Sequence, residues 1–304
     1  MQQGDIRIGV SGWTYAPWRG AFYPKGLPQK RELAFASSAF RTVEINGTFY
    51  GMQTPDAFAR WAEETPDDFV FAVKGSRYIT HMRRLKNCQV PLANFFASGV
   101  LRLGPKLGPI LWQFPPNFHF KEDRMAEFLA MLPHDGEAAS AIARKHDDRL
   151  KARAWLRARD CPPLRHAVEI RHESFVDPAF TALLRKYDVA LVCADTVEWP
   201  LLMDLTSDFV YCRLHGSKKL YRSAYGPAEI DRWSRRVAAW SHGRPMTDGR
   251  FIDSRRRSPK RRDIFVYFDN TDKLHAPDDA RSLMERLGQT PKRPFKDAAE
   301  REAA

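Results

Sequence analysis

Cysteine is scarce in this sequence: four in 304 residues (Cys88, Cys161, Cys193 and Cys212), far apart and with no CxxC pair. That spacing argues against a disulfide framework and against a structural zinc site. Long apolar runs are missing as well. No stretch approaches the roughly 20 apolar residues of a membrane span, and the opening MQQGDIRIGV lacks a basic region followed by an apolar one. The expected compartment is therefore the cytoplasm, with no membrane partner. Neither HxH nor HExxH spacing occurs, and no GxSxG elbow supports a serine triad. A nucleotide-cofactor motif is also lacking, so the sequence names no cofactor. Internal repeats and low-complexity linkers are absent too.

What is present is a large apolar complement under a polar surface. Hydrophobic residues make up 43% and aromatics 12%, while mean hydropathy is −0.50, the profile of a soluble globular chain. Net charge is +12, and its distribution matters more than its size. Residues 250–262, RFIDSRRRSPKRR, hold seven basic residues and one acid, half of the whole excess. Such a segment can bind phosphate-rich polymers, which makes nucleic acid a candidate partner through this loop.

Eight short β-type runs alternate with helical patterns, as in repeated βα units. They are IRIGVSG from Ile6, TVEINGTFY from Thr42, FVFAVKGS from Phe69, PILWQFP from Pro109, HAVEIRH from His166, VALVCADT from Val189, FVYCRLHG from Phe209 and IFVYFDN from Ile264. Between them PDAFARWAEE, EDRMAEFLAMLP, DPAFTALLRKY, EIDRWSRRVAAW and DDARSLMERL carry apolar residues at helical spacing. The sixth connection, EWPLLMDLTSD, is too short for a helix. The expected architecture is α/β, a single (β/α)8 TIM-type barrel over residues 1–288, with a doubly wound open sheet as the alternative. Residues 135–163 read as a charged helical stretch extending the fourth connection. The basic loop 250–262 should lie on the face opposite the active site, because a barrel chain enters strand eight from its N-terminal end. The tail, 289–304, is expected to fray.

Side chains alternate across a strand, so in a barrel every second residue faces the interior. In VEIN, Val43 and Ile45 suit the helix layer and turn Glu44 and Asn46 inward. The same parity sends Glu169 and Arg171, then Tyr211, Arg213 and His215, then Phe265, Tyr267 and Asp269 inside. It also places Ser11, Lys74, Gln113 and Asp195 inside or at the rim. All of these polar residues sit late in their strands, at the end where barrel enzymes assemble their active sites.

The charges nearly balance: Glu44, Glu169, Asp195 and Asp269 against Lys74, Arg77, Arg171 and Arg213, with His172 and His215 titratable. Two readings fit. The groups could be buried ion pairs that plug the barrel mouth, or a site for an anionic small molecule, held by bidentate arginine. A divalent metal on His215, Glu169 and Asp269 is conceivable but disfavoured by the interleaved cations. For acid/base work, His215 or His172 could pair with a carboxylate such as Glu169. Lys74 is either ion-paired or, if burial lowers its pKa, a Schiff-base or electrophilic lysine. Cys193 faces the same way as Asp195 and suits packing better than nucleophilic work. After strand one, Trp13, Tyr15, Trp18, Phe22 and Tyr23 form a loop that either stacks on a ligand or packs over the rim, and its Gly and Pro punctuation favours packing.

The blocks IGVSGWTYAPWRGAFYP, FRTVEINGTFY, FAVKGSRYITH, LGPILWQFPP, AVEIRHESF, VYCRLHG and VYFDNT, in that order from about Ile6 to Leu287, resemble the YecE-like proteins, also called the domain of unknown function 72 family. The resemblance implies a TIM-type barrel but no activity. By motif it points to Glu44, Asn46, Tyr50, Lys74, Arg77, His81, Gln113, Glu169, Arg171, His172, Asp195, Arg213, His215 and Asn270. Residues 135–163 and 250–262 look like additions to that pattern. Taken together, the catalytic candidates are Glu44, Lys74, Glu169, His172, Asp195, His215 and Asp269. Asn46, Tyr50, Arg77, His81, Gln113, Arg171, Arg213, Tyr267 and Asn270 are candidates for binding substrate. The expected function is acid/base chemistry on a phosphorylated or otherwise anionic substrate, with nucleic-acid binding or processing and a non-catalytic scaffold as alternatives.

Overall fold

The structure is a computed structural model that describes residues 3–150, 153–216, 223–244, 246, 248–253, 260–269 and 274–289. All eight β-type runs form strands: β1 (Ile6–Ser11), β2 (Thr42–Ile45), β3 (Val70–Lys74), β4 (Leu107–Gln113), β5 (His166–Glu169), β6 (Val189–Asp195), β7 (Phe209–Leu214) and β8 (Asp263–Phe268). Each pairs in parallel with the next, and β8 returns to β1 with Ile6 opposite Ile264, so the sheet closes into a barrel. The fold is thus a TIM-type α/β barrel rather than an open sheet.

Helices α1 (Glu32–Ala39), α2 (Gly47–Tyr50, a single turn) and α3 (Pro55–Glu63) lie in the first two connections, and α4 (Gln89–Ala97) in the third. The fourth carries α5 (Glu122–Ala130) and α6 (Gly136–Ala143). Then come α7 (Pro178–Lys186), α8 (Pro227–Ser241) and α9 (Ala276–Arg286). Start signals act locally as their chemistry requires. Thr54, Asp135 and Asp177 each accept a hydrogen bond from an amide of the first turn of α3, α6 and α7, with Pro55 and Pro178 in the first turns of α3 and α7.

Two expectations need correction here. Among the described residues of 135–163, only Gly136–Ala143 and a short turn at Asp148–Leu150 are helical. From Arg153 onward the chain is irregular and pinned to α4 and its neighbours. The Trp155 amide donates to the Ala97 carbonyl at 2.8 Å, and the Arg102 guanidinium lies 4.6 Å from the Trp155 ring. These tertiary contacts override a composition that favours helix.

The basic segment is the second case. The helix-free sixth connection runs along the barrel wall, where the Asp204 carboxylate takes the amides of Ile252 and Asp253 at 2.8 and 2.9 Å and Met203 bonds to the Arg250 carbonyl. The segment therefore begins high on the wall. Arg250 pairs with Glu173, in the loop after β5 on the active-site side. Only its far end is where expected: Arg262 precedes β8 and donates to the Ser207 carbonyl at 2.9 Å. Residues 254–259 lie outside the described residues, as do 290–304; Gln289 bonds to the Ile6 carbonyl.

Two cores flank the sheet. The helix-facing layer holds Val10, Val43, Val73, Ile110, Val168, Leu191 and Leu214, while the barrel interior holds Ala72, Leu111, Ala167, Ala190, Val192, Phe209, Tyr211, Phe265 and Tyr267. Alanines on β3, β5 and β6 leave room for the rings from β7 and β8, so the lower interior is full. The upper layer, at the strands' C-terminal ends, holds the buried charged side chains Glu44, Glu169 and Arg213.

Candidate active site at the barrel mouth

Parity delivers Ser11, Glu44, Glu169 and Arg213 to the interior, all buried. Arg213 is the hub. Its Nε and Nη2 grip Glu44 at 3.0 and 2.9 Å, Nη2 also reaches Asp269 at 2.7 Å, and Nη1 donates to Glu169 at 2.7 Å. Glu44 further accepts from Tyr211 at 2.6 Å and from Ser11 at 2.9 Å. Three carboxylates around one guanidinium form the ion-paired plug that the sequence left open as one reading. Burial would raise the Glu169 carboxyl, but Arg213, Arg171 and His215 hold it well below its ordinary value. Arg213 is itself pushed up: burial works against its charge, and Glu44, Glu169 and Asp269 prevail. It is engaged by protein carboxylates rather than held ready for a substrate anion.

His215 joins this layer, Nδ1 3.3 Å from Asp269 and Nε2 3.7 Å from Glu169. Arg171 lies nearer the opening, with Nη2 2.8 Å from the Glu169 carboxylate and its guanidinium 4.2 Å from the Trp199 ring. Trp199 also packs on His215, at 5.7 Å between rings. Sequence reasoning missed this wall; its only signal was a lone Trp in the EWP that follows β6.

Lys74 is placed differently from every other cation of the ring. It ends β3 at 7% exposure, and its Nζ stands 4.4 Å from the Phe49 ring. Among the described residues its ammonium has no hydrogen bond and no ion pair. Burial lowers its pKa to about 7, and Arg213 adds to the effect against Glu44, Asp269 and Glu169. The His81 ring meets Phe49 edge to face, 5.0 Å between centroids. That imidazole is lowered to about 4 by burial first, then by Arg171, Lys74 and Arg77. Glu169 acts in the opposite direction. Among the described residues two buried polar atoms, Gln113 Oε1 and Trp199 Nε1, have no hydrogen-bond partner; Gln113 sits directly beside Glu169 in the β4–β5 register.

Local backbone requirements help aim these groups. Gly75 follows Lys74, and a Cβ there would stand 2.3 Å from the Trp112 ring. Gly12, at φ +77°, turns the chain after β1 so that the Tyr15 hydroxyl can bond to the Ser11 carbonyl. The aromatic loop beyond it packs instead of stacking outward: Trp18, Phe22 and Tyr23 are buried, and Trp18 and Phe22 meet edge to face at 5.3 Å.

Several candidates lie elsewhere. Asp195 points away from the barrel interior and accepts from Trp233 of α8 at 2.8 Å, and Cys193 faces outward with it. Every residue of β6 before Asp195 is apolar, so alternation gave no phase, and Ala190, Val192 and Ala194 take the interior. Tyr267 is inside but sealed below the mouth, its hydroxyl 2.7 Å from Thr42. His172 caps the turn Glu173–Phe175 through Nδ1 and packs at a tilt against His119, 3.9 Å between ring centroids, outside the ring. Asn46 precedes α2, its carbonyl taking the Phe49 amide. Tyr50 and Arg77 line a cleft of about 280 Å³ beside the mouth, together with Met52, Ile79, Met82 and Phe95. Asn270 lies outside the described residues.

Among the described residues no cluster of three metal-ligating side chains occurs, and no helix is long and apolar enough to cross a membrane.

Known proteins resemble this chain in sequence over part of its length or in fold over most of it. UPF0759 protein YecE of Escherichia coli is 31% identical over 142 residues, 46% of this chain and 48% of its own. UPF0759 protein YunF of Bacillus subtilis is 31% identical over 134 residues, 42% and 46% of the two chains. The chain thus spans about half the length of the curated relatives it matches. A DUF72 family protein from Thermotoga maritima superposes with a TM-score of 0.68 at 23% identity, over 94% of this chain and 100% of the other. One from Enterococcus faecalis gives 0.66 at 18%, over 94% and 96%. The family model described as protein of unknown function DUF72 matches residues 7–303, and the chain therefore belongs to the DUF72 family.

Proposed function

We propose that the mouth is the active site of an enzyme that performs acid/base chemistry on a small anionic substrate. One observation carries this reading: Lys74, only 7% exposed, has an ammonium with no counter-ion or hydrogen bond among the described residues. Buried polar groups almost always have partners, and among the described residues Gln113 Oε1 and Trp199 Nε1 beside the same layer have none. Leaving such groups unmatched is costly unless a ligand completes them.

Charge gives the ligand its sign. The three carboxylates are held by Arg213, whereas the positive charges of Lys74, Arg77 and Arg171 all act to lower the pKa of His81. A carboxylate or phosphate placed among them gains charge-assisted hydrogen bonds. Lys74, with a pKa near 7, exchanges a proton close to neutral pH, as acid/base catalysis needs. The plug below fixes the floor and keeps the carboxylates ionised.

The test is thermal denaturation of the wild type in sulfate, phosphate and small carboxylates, against chloride at equal ionic strength. A specific anion should raise Tm, since a ligand at about 100 times its Kd adds about 2.7 kcal/mol. The gain should fall in Lys74→Met and Arg77→Met. No anion-specific shift in the wild type would overturn the reading.

A further inference from the structure

We infer that Lys74 is a nucleophile that forms an imine with a carbonyl-bearing anion, such as an aldehyde or keto acid. The identification of the substrate as an anion rests on the reading of the mouth given above; the covalent role rests on Lys74's own surroundings. Its Nζ lies against the face of Phe49 and is 4.4 Å from the ring centroid, at the C-terminal end of β3, in a side chain left 7% exposed. An amine that is to attack a carbonyl must have its lone pair uncommitted. A lysine engaged in an ion pair fails that condition, and this one meets it: no carboxylate lies within ion-pairing distance among the described residues, because Glu44, Glu169 and Asp269 are all drawn to Arg213.

The same groups serve the intermediate. The groups whose charges act on Lys74 are Arg213 from β7, Glu44 from β2, Asp269 after β8 and Glu169 from β5, and the imidazole of His81 packs edge to face on the same Phe49. Burial and Arg213 favour the neutral amine needed for attack, and the pKa of about 7 agrees with that geometry. Once formed, a protonated imine is a fixed cation, and the three carboxylates then act on it favourably at longer range.

The chemistry balances without a further reagent. The Nζ lone pair forms the C–N bond while the carbonyl π pair moves to oxygen, which takes a proton to give a carbinolamine. Loss of that oxygen as water, carrying both amine hydrogens, leaves the C=N bond. Addition of water reverses the sequence.

The full-length chain is treated with glyoxylate and cyanoborohydride from pH 6 to pH 10, and modified lysines are mapped by peptide mass spectrometry. Cyanoborohydride fixes an imine as a stable secondary amine. At pH 7 Lys74 should be modified at least about tenfold faster than the exposed Lys25 and Lys121, since a surface lysine is almost wholly protonated there. The lead should shrink toward pH 10, and Lys74→Met should abolish the fast phase alone. Modification of Lys74 no faster than the exposed lysines would overturn the inference. Parallel arms use neutral acetaldehyde, and glyoxylate with sulfate as competitor. If sulfate raises Tm yet Lys74 is not selectively modified, the anion site stands and the inference falls. If both aldehydes label Lys74 equally well and sulfate neither protects it nor raises Tm, the nucleophile stands and the anionic substrate class falls.

Discussion

Arg213 and Lys74 are two buried cations on one barrel layer, and they solve the problem of burial in opposite ways. Arg213 is surrounded by three carboxylates at 2.7 to 3.0 Å; Lys74 faces an aromatic ring and has no partner among the described residues. A buried charge is tolerated when paired and otherwise shifts toward its neutral form. The first arrangement stabilises one geometry, and the second keeps a reactive amine at hand. A polar ring at a barrel mouth is therefore two devices, a plug toward β2, β7 and β8 and an open face toward β3 and its following turn.

The largest expected effect breaks the plug. Arg213→Met leaves Glu44, Glu169 and Asp269 facing one another without their shared cation, and should cost about 3–5 kcal/mol or prevent folding. Urea denaturation at pH 7 measures it; a loss under about 1 kcal/mol would mean that the carboxylates do not depend on Arg213.

Lys74→Met should do the reverse and stabilise the protein, by roughly 2–4 kcal/mol at pH 6. The sign follows from the protons bound. Lys74 has a folded pKa of about 7 against an ordinary 10.5, so between those values the unfolded chain binds more protons and wild-type stability climbs with pH. The cost of the charge is full below pH 7 and gone above about pH 10.5. The mutant's advantage should hence be flat below pH 7 and vanish toward pH 10. No advantage at pH 6, or one that does not change with pH, would show that the folded Lys74 keeps its ordinary pKa.

Arg171→Met sharpens the boundary between the devices. Glu169 keeps its bond to Arg213, so the loss should be only about 1–2 kcal/mol from one ion pair and the contact with Trp199. Its larger signature should be a weaker anion-dependent rise in Tm. A destabilisation equal to that of Arg213→Met would place Arg171 in the plug.

The smallest effect concerns the basic segment, proposed as a weak polyanion contact. Replacing Arg255, Arg256, Arg257 and Lys260 with Gln should flatten the salt dependence of DNA or RNA binding by about 0.9 in log–log slope per lost phosphate contact, leaving stability unchanged. Arg262 is excluded because it is buried and bonds to Ser207. Absence of salt-sensitive binding in the wild type would remove this role.

Much of the molecule could be read from sequence because the barrel repeats a strong local pattern. Each strand run formed, and alternation of Val, Ile and polar residues in VEIN, AVEIRH and VYCRLH set the phase that turns Glu44, Glu169 and Arg213 inward. Where the alternation fades, so does the reading. β6 is apolar at six successive positions, and Asp195 was assigned to the wrong face. Helix-forming composition over 153–163 likewise lost to contacts with α4, which no local rule contains.

The sequence by itself determined the βα alternation, the strand positions and most of the residues that share the barrel mouth, since these follow from periodicities of two and 3.6 along the chain. Only tertiary structure decided which charges neutralise one another. Parity puts Lys74 and Arg213 on the same layer with equal claims to Glu44, Glu169 and Asp269; closure of the barrel brings all three carboxylates within 3.0 Å of the guanidinium and leaves Phe49 beneath the ammonium. Pairing depends on distances between strands, and those are set by register and closure, which a linear pattern does not encode.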